Sequence, residues 1–286
     1  MSLSSLYLDA FAEVARQKSF SAAAKKLNVT QSALSQRVLN LEEEIGFTLF
    51  VRDPAGVRLT ELGQKLLRYC QSKELLETEF LSGLRTQDQK TLGGVIRIAG
   101  FSSVTRSVIL PALAELVRSH PLLELDLRTN ELRELPQLLA TGATDFIVLN
   151  QPLEKQGLTS HLLGYELNVL IQGTGKNAAE DVYLDHDEED SMTHDFFRHQ
   201  GRKNPPLKRR YLDEIYAIVD GVRLGLGRAV IPKHLIEGAK GIEIVSGLKP
   251  LRTPVYLCYY TQAYYSRLQT AVIEKLVSDL PTRLSE

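Results

Sequence analysis

Residues 20–63 constrain this chain more than any other stretch, and their centre is Thr30-Gln31-Ser32-Ala33-Leu34-Ser35-Gln36-Arg37-Val38. Residues 21–27 read as a short helix with Ser21 as N-cap, and Asn28, which tolerates the left-handed conformation, ends it. Thr30 is the next N-cap. From Gln31 onward Leu34, Val38, Leu41 and Ile45 recur by threes and fours, one apolar stripe of an amphipathic helix. Two helices joined by a tight turn, with small alanines where they cross, make a helix-turn-helix.

The face opposite the Leu34 stripe carries Ser32, Ser35 and Gln36, with Gln31 at its flank, all neutral donors and acceptors suited to base edges in a major groove. Glu42-Glu43-Glu44 sit at the far end, where phosphate repels them, so this helix enters DNA by its N-terminal half. Taken alone, the pair fits a solvated hairpin of some other bundle equally well. The continuation decides between them: strand-like residues 48–52, a turn Asp53-Pro54-Ala55-Gly56 and a return strand Val57-Arg58-Leu59 make a wing. Arg52 and Arg58 flank it, placed for backbone phosphates that supply affinity without sequence choice. Ser21, Thr30 and Arg37 complete the expected DNA-contacting set.

In order along the chain, Phe20-Ser21-x-Ala23-Ala24, Thr30-Gln31-Ser32-Ala33-Leu34-Ser35, Leu41-Glu42, Ile45-Gly46, Leu49-Phe50-x-Arg52 and Leu59-Thr60-x-x-Gly63 resemble the N-terminal signature of LysR-type transcriptional regulators. Ala55 stands where that family usually has a wing arginine. The resemblance implies a fold of three parts: an all-α winged helix-turn-helix, a long linker helix, and an α/β effector domain of two lobes like a periplasmic solute-binding protein. It implies double-stranded operator DNA, RNA polymerase and a small-molecule effector as partners, with assembly as a homodimer or homotetramer.

Composition agrees with local rather than global DNA contact. With 286 residues and a net charge of −1, the chain is no polybasic coat, so contact falls to Lys25, Lys26, Arg37, Arg52 and Arg58. The length admits two or three domains. No apolar run reaches about 18 residues, and Met1-Ser2-Leu3-Ser4-Ser5 lacks the basic and apolar regions of a secretory signal, so no membrane partner and a cytoplasmic location are expected. Cys70 and Cys258 read as small buried hydrophobes rather than a redox pair.

Residues 3–18 carry Leu3, Leu6, Tyr7, Ala10, Phe11 and Val14 at helical spacing, a support helix. Thr60 caps a long helix to about Arg85, with Leu62, Leu66, Tyr69, Leu76 and Phe80 on one seam and Lys73 interrupting it. In the resembled family this linker pairs two subunits, which sets two recognition helices about 34 Å apart. Residues 87–94, ending in Gly93-Gly94, read as a hinge. Beyond it strands at 95–99, 123–128 and 146–149 alternate with helices at 105–119 and 131–140. The second half repeats the pattern: strands at 166–172, 182–184 and 208–212, helices at 192–199 and 214–224. A late strand at 255–260 and a helix at 264–280 return to the first lobe. The expected divisions are 1–60, 61–90, 91–163 with 262–286, and 164–261. Gly225-Leu226-Gly227-Arg228-Ala229-Val230-Ile231-Pro232 resembles the glycine turn and strand of the family's second lobe. The third glycine of a dinucleotide site is missing, and the turn precedes its strand, so no nucleotide cofactor is expected.

For the effector, Ser102 and Ser103 follow the first strand and open a helix. This is an anion seat or plain serine capping, and the residues leave both open. The resemblance favours the seat. Asn130, Asn150 and Gln151 fall just past strand ends, and Asp213 and Glu214 cap the helix that follows. Asp185-His186-Asp187-Glu188-Glu189-Asp190, near His194 and His199, lacks calcium-loop spacing and any thiolate partner, and reads as a solvated acidic loop rather than a metal site. Together with Gln64-Lys65-Leu66-Leu67 and Glu74-Leu75-Leu76-Glu77-x-Glu79, the run Tyr183-Leu184-Asp185-His186 resembles the lysine- and arginine-responsive branch of the family, which looks like a set of activators of amino-acid exporter genes. That resemblance implies Asp185 pairing with an ammonium or guanidinium while Ser102 and Ser103 hold the carboxylate. The rival classes are a two-lobed enzyme or solute binder and an unselective nucleoid protein. No Gly-x-Ser-x-Gly elbow, carboxylate pair or metal triad appears, so no catalytic residue is named.

Overall fold

The N-terminal helices form where apolar residues return to one side. The computed structural model describes residues 3–53, 56–85, 92–175, 179–202 and 206–285, leaving aside the side chains of 52, 53 and 82–85. Helix α1 (Ser5–Gln17) buries Leu8, Phe11 and Val14, and α2 (Phe20–Lys26) buries Ala23 and Ala24 against it. The cap of α2 is Ser19, whose hydroxyl accepts from the Ala22 amide, so Ser21 lies inside the first turn instead of capping it. Asn28 does adopt φ 53°. Helix α3 (Gln31–Ile45) starts on the Thr30 cap and ends at Gly46, whose φ of 79° takes the left-handed position that favours glycine. Leu34, Val38 and Leu41 complete a core with Phe11, Phe20 and Phe50, whose rings meet at 5.2 and 5.8 Å.

Strands β1 (Phe50–Asp53) and β2 (Gly56–Leu59) pair antiparallel from Phe50↔Leu59 to Asp53↔Gly56. The wing tip, Pro54 and Ala55, lies outside the described residues. Thr60 caps α4 (Glu61–Arg85) as expected, its hydroxyl accepting from the Gly63 amide at 3.0 Å. One side of α4 is docked on its own effector domain: Gln71 donates to the Gly142 carbonyl at 2.6 Å, Ser72 to Gln262 at 3.0 Å, and the Arg68 guanidinium lies over the Tyr260 ring. The other side leaves Leu62, Tyr69, Leu76, Phe80 and Leu81 exposed.

Of the expected hinge, 87–91 lie outside the described residues, and Gly93-Gly94 open strand β3 (Gly93–Gly100) rather than a loop. A helical stretch follows as α5 (Ser102–Val104), a π turn (Thr105–Ile109) and α6 (Leu110–Ser119). Pro111 has no N–H to donate, and the ladder widens just ahead of it. Strands β4 (Leu122–Thr129) and β5 (Phe146–Leu149) run parallel to β3 on either side. Helix α7 spans only Leu135–Ala140, because Pro136 fits a first turn and not a helix interior.

Two long strands carry the chain between lobes. Strand β6 (Leu158–Gly173) and strand β11 (Leu251–Tyr260) pair antiparallel from Leu251↔Asn168 to Tyr260↔Leu158, with a register shift at Val255/Tyr256 opposite Gly164. The main sheet also takes β9 (Ala229–Pro232) and β10 (Ile242–Ile244) on β6. A smaller parallel pair joins β7 (Val182–Asp185) to β8 (Lys208–Tyr211). Helices α8 (Met192–His199) and α9 (Ile215–Arg223) cover the second lobe, and α10 (Arg267–Ser285) returns to pack Leu268, Val272, Leu276 and Leu280 on the first. Arg228 replaces apolar packing with a clamp, donating to Gln172 at 2.6 Å and to Glu180 at 2.7 Å. Cys70 and Cys258 are both buried, and burial pushes their thiols up, Cys70 to about 11, so both remain protonated at neutral pH.

Candidate nucleic-acid interface and effector cleft

On α3 the Leu34, Val38 and Leu41 side points into the core, so at about 100° per residue the outward row is Ser32, Gln36 and Leu39. Gln31, Ser32 and Gln36 are exposed, whereas Ser35 and Arg37 are half-buried at the flanks. The Thr30 hydroxyl accepts from the Ala33 amide at 3.2 Å and sits 3.1 Å from the Ser32 hydroxyl, so capping and reading residues are fixed together. Gln36 donates to Asn40 at 2.8 Å, and Asn40 donates to the Tyr7 hydroxyl at 3.2 Å, which orients the Gln36 amide. Leu39, 46% exposed, and Asn40 escaped the sequence reading. A leucine outside the buried stripe was the available signal for the first.

Ser21 is exposed, with its hydroxyl 3.0 Å from that of Ser19. Arg58 is exposed on β2 opposite Val51, and the Arg52 side chain falls outside the described residues. The acidic end of α3 is not uniformly turned to solvent. Glu42 accepts from the amides of Leu49 at 2.6 Å and Phe50 at 3.3 Å, tying the wing to the helix.

Between the lobes, four side chains knit the halves of the effector domain. Ser103 donates to the Glu166 carboxylate at 2.8 Å, and the same oxygen lies 2.9 Å from His234 Nε2. His234 Nδ1 lies 2.9 Å from the Ser107 hydroxyl, which also contacts the Ser103 carbonyl. Ser103, Glu166 and His234 are each less than a tenth exposed. Phe101 occupies the cap position of α5 with no side-chain bond, so Ser103 caps nothing. Ser102 is half-buried beside it. Arg106 stacks over the Tyr216 ring of α9, 3.9 Å away, a further contact between lobes.

Acidic side chains from both lobes also converge on His186. His186 Nε2 lies 3.6 Å from Glu131 of the first lobe and 3.4 Å from Asp213 of the second. The Asp213 side chain is 94% exposed, and Glu214 alone caps α9, accepting from the Ala217 amide at 2.9 Å. Asn130 donates to Glu134 at 3.1 Å, and Asn150 is half-buried.

Asp185 departs from its expected role as a counter-charge for ligand. It is 2% exposed, and its two oxygens accept from Thr193 and from Arg209. The acidic loop then closes on the same guanidinium, with the carbonyls of Glu188, Asp187 and Asp190 accepting at 3.3, 3.1 and 2.5 Å. Asp187 and Asp190 turn inward to accept loop amides. The backbone of the loop therefore cages the Arg209 guanidinium, while Asp187, Glu188 and Glu189 stay exposed, as expected of a solvated acidic loop. Arg209 stands far away in sequence and gave no signal there.

Family models match nearly the whole chain. Residues 7–64 match a bacterial regulatory helix-turn-helix protein of the lysR family, and residues 89–281 match the LysR substrate binding domain. The transcriptional activator IlvY of Salmonella typhimurium is 29% identical over 252 residues, covering 81% of this chain and 83% of its own. Among solved structures, ArgP from Mycobacterium tuberculosis superposes with a TM-score of 0.77 at 22% identity over 98% of each chain. Full-length LysG from Corynebacterium glutamicum with bound effector Arg gives 0.73 at 20% identity, covering 97% of this chain and 98% of that one.

Proposed function

The chain belongs to the LysR family of bacterial transcriptional regulators, a DNA-binding helix-turn-helix with an effector-binding domain and not an enzyme, and from that premise we propose how its own residues work. It binds operator DNA as a two-fold pair, with the first turns of α3 in successive major grooves. Ser32 and Gln36 meet base edges, with Gln31 and Ser35 at the margins and Leu39 against a thymine methyl. Ser21, Thr30, Arg37, Arg52 and Arg58 hold the sugar-phosphate backbone. The carrying observation is the exposed neutral row on α3, oriented by Thr30 and by the Gln36–Asn40–Tyr7 chain. The bare apolar side of α4 supports pairing with a second copy, in dimers or tetramers. The protein acts in the cytoplasm and hands its signal to RNA polymerase.

The effector lies between the lobes, and a basic amino acid is the leading candidate. The carboxylates of Glu131 and Asp213, which meet at His186 from the two lobes, support it, as does the fold shared with an arginine-bound regulator. Ser102 and Asn150 remain candidates for contacting it, Asn130 also bonds Glu134, and Ser103 and Asp185 are engaged internally. Such a ligand switches the protein only by binding two arrangements of the lobes unequally. A gel-shift titration across upstream fragments of the source genome tests the regulator. Binding that prefers one fragment and weakens steeply with salt supports it, and equal retention of all fragments overturns it.

A further inference from the structure

Resting on the reading of the cleft as an effector site, we propose that its floor is an ammonium seat formed by the free oxygen of Glu166 and the side-chain oxygen of Asn168. The donors on this floor are already taken. Ser103 and His234 both address the same Glu166 oxygen, Oε1, at 2.8 and 2.9 Å. A carboxylate arriving at Ser103 would have to displace an internal carboxylate and then sit beside its charge. Oε2 of Glu166, by contrast, has no hydrogen-bond partner among the described residues.

Asn168 supplies the independent observation. It is 1% exposed, and its Oδ1 is buried without a partner among the described residues. Its orientation is settled by chemistry, since Nδ2 points at the Leu251 carbonyl, which can only accept, and at the Thr253 hydroxyl at 2.9 Å. Thr253 is the register partner of Glu166. Residues 166 and 168 lie on one face of β6, and the Asn168 amide leans back along the sheet toward the Glu166–Thr253 pair. Two acceptors one pleat apart, one charged and one unsatisfied, ask for a group that donates several hydrogen bonds and carries positive charge. A primary ammonium does both, and the carboxylates of Glu131 and Asp213, which meet at His186 from the two lobes, add negative potential that favours a cation. The effector class is therefore a small primary amine, in which a carboxylate is optional.

Calorimetric titration of the full-length protein with cadaverine, L-lysine and glutarate tests this. The expected result is binding of both amines and none of glutarate. Glu166→Gln, which retains an acceptor for Ser103 and His234 but removes the charge, weakens the amines at least tenfold. Asn168→Asp, which adds charge to the seat, tightens them severalfold and serves if the first variant fails to fold. Binding of glutarate alone, no binding of any of the three, or amine affinities unchanged in both variants would overturn the seat. Selective DNA binding by the same wild-type preparation separates the outcomes. Its presence with inert amines removes the seat alone, and its absence removes the regulator reading.

Discussion

The face of α3 and the floor of the cleft are both polar, but they are built in opposite ways. On α3 the reading side chains stand in water, and their hydrogen bonds, such as Gln36 to Asn40, only orient them. Between the lobes the polar groups are joined to each other, buried Ser103, Glu166 and His234 together with half-buried Ser107. A surface for DNA keeps donors and acceptors ready, because phosphates and base edges arrive fully formed and water is easily displaced. A gated cleft must hold itself together without ligand, so its donors are matched internally and ligand binding means exchange. Truncations in the two regions should therefore differ in kind: loss of stability in one, loss of base preference in the other.

The sharpest way to break that contrast lies at the caged arginine. Asp185→Ala leaves the Arg209 guanidinium without its buried counter-charge, and urea unfolding should show a loss of about 3–5 kcal/mol. A loss under 1 kcal/mol would show that the loop carbonyls suffice. Next is Asp145, whose side chain is 6% exposed and whose carboxyl is pushed up to about 6, mainly by burial and against the opposing Arg97 amide and charge. With an unfolded value near 3.9, the folded state holds this proton more tightly, so the linked stability is full below about pH 4 and lost as pH rises through 6. Asp145→Asn should match the wild type in stability near pH 4 and exceed it by roughly 3 kcal/mol at pH 8. A difference that does not vary with pH would contradict this.

Smaller effects belong to the DNA-binding unit. Thr30→Ala removes the cap of α3 and should cost about 1 kcal/mol in thermal unfolding, with Thr30→Ser recovering most of it. Gln36→Ala should change stability by less than about 0.5 kcal/mol, because its amide is solvated. A larger loss would mean that the Gln36–Asn40–Tyr7 chain is structural and that the two regions differ less than described.

The same division explains what could be inferred before the structure. The helix-turn-helix and wing were legible because Leu34, Val38 and Leu41 sit within one helical stripe and Thr30 is a local cap. The family models later matched that stretch. Ser19 and Ser21 could each cap α2, and only the backbone shows that Ser19 does. Only 166–172 of β6 was legible, since Thr159, Ser160 and His161 at its start break the alternation that marks a strand. The cleft was partly legible. Ser103 was named, but Glu166 and His234 are 68 positions apart, and no local pattern records a pairing made by the β6 crossover and the turn after β9. Asp185 reads as a counter-charge from its place at a strand end, but Arg209 and Thr193 occupy both of its oxygens.

Whether the outward row of α3 reads bases is decided by fluorescence anisotropy at fixed salt, comparing wild type and Gln36→Ala on an operator duplex and on a scrambled one. If Gln36 meets a base edge, the ratio of the two affinities falls by roughly 5–100-fold, the worth of one or two kilocalories or more per bidentate base contact, while binding to the scrambled duplex stays the same. An unchanged ratio, or equal weakening on both duplexes, would contradict it.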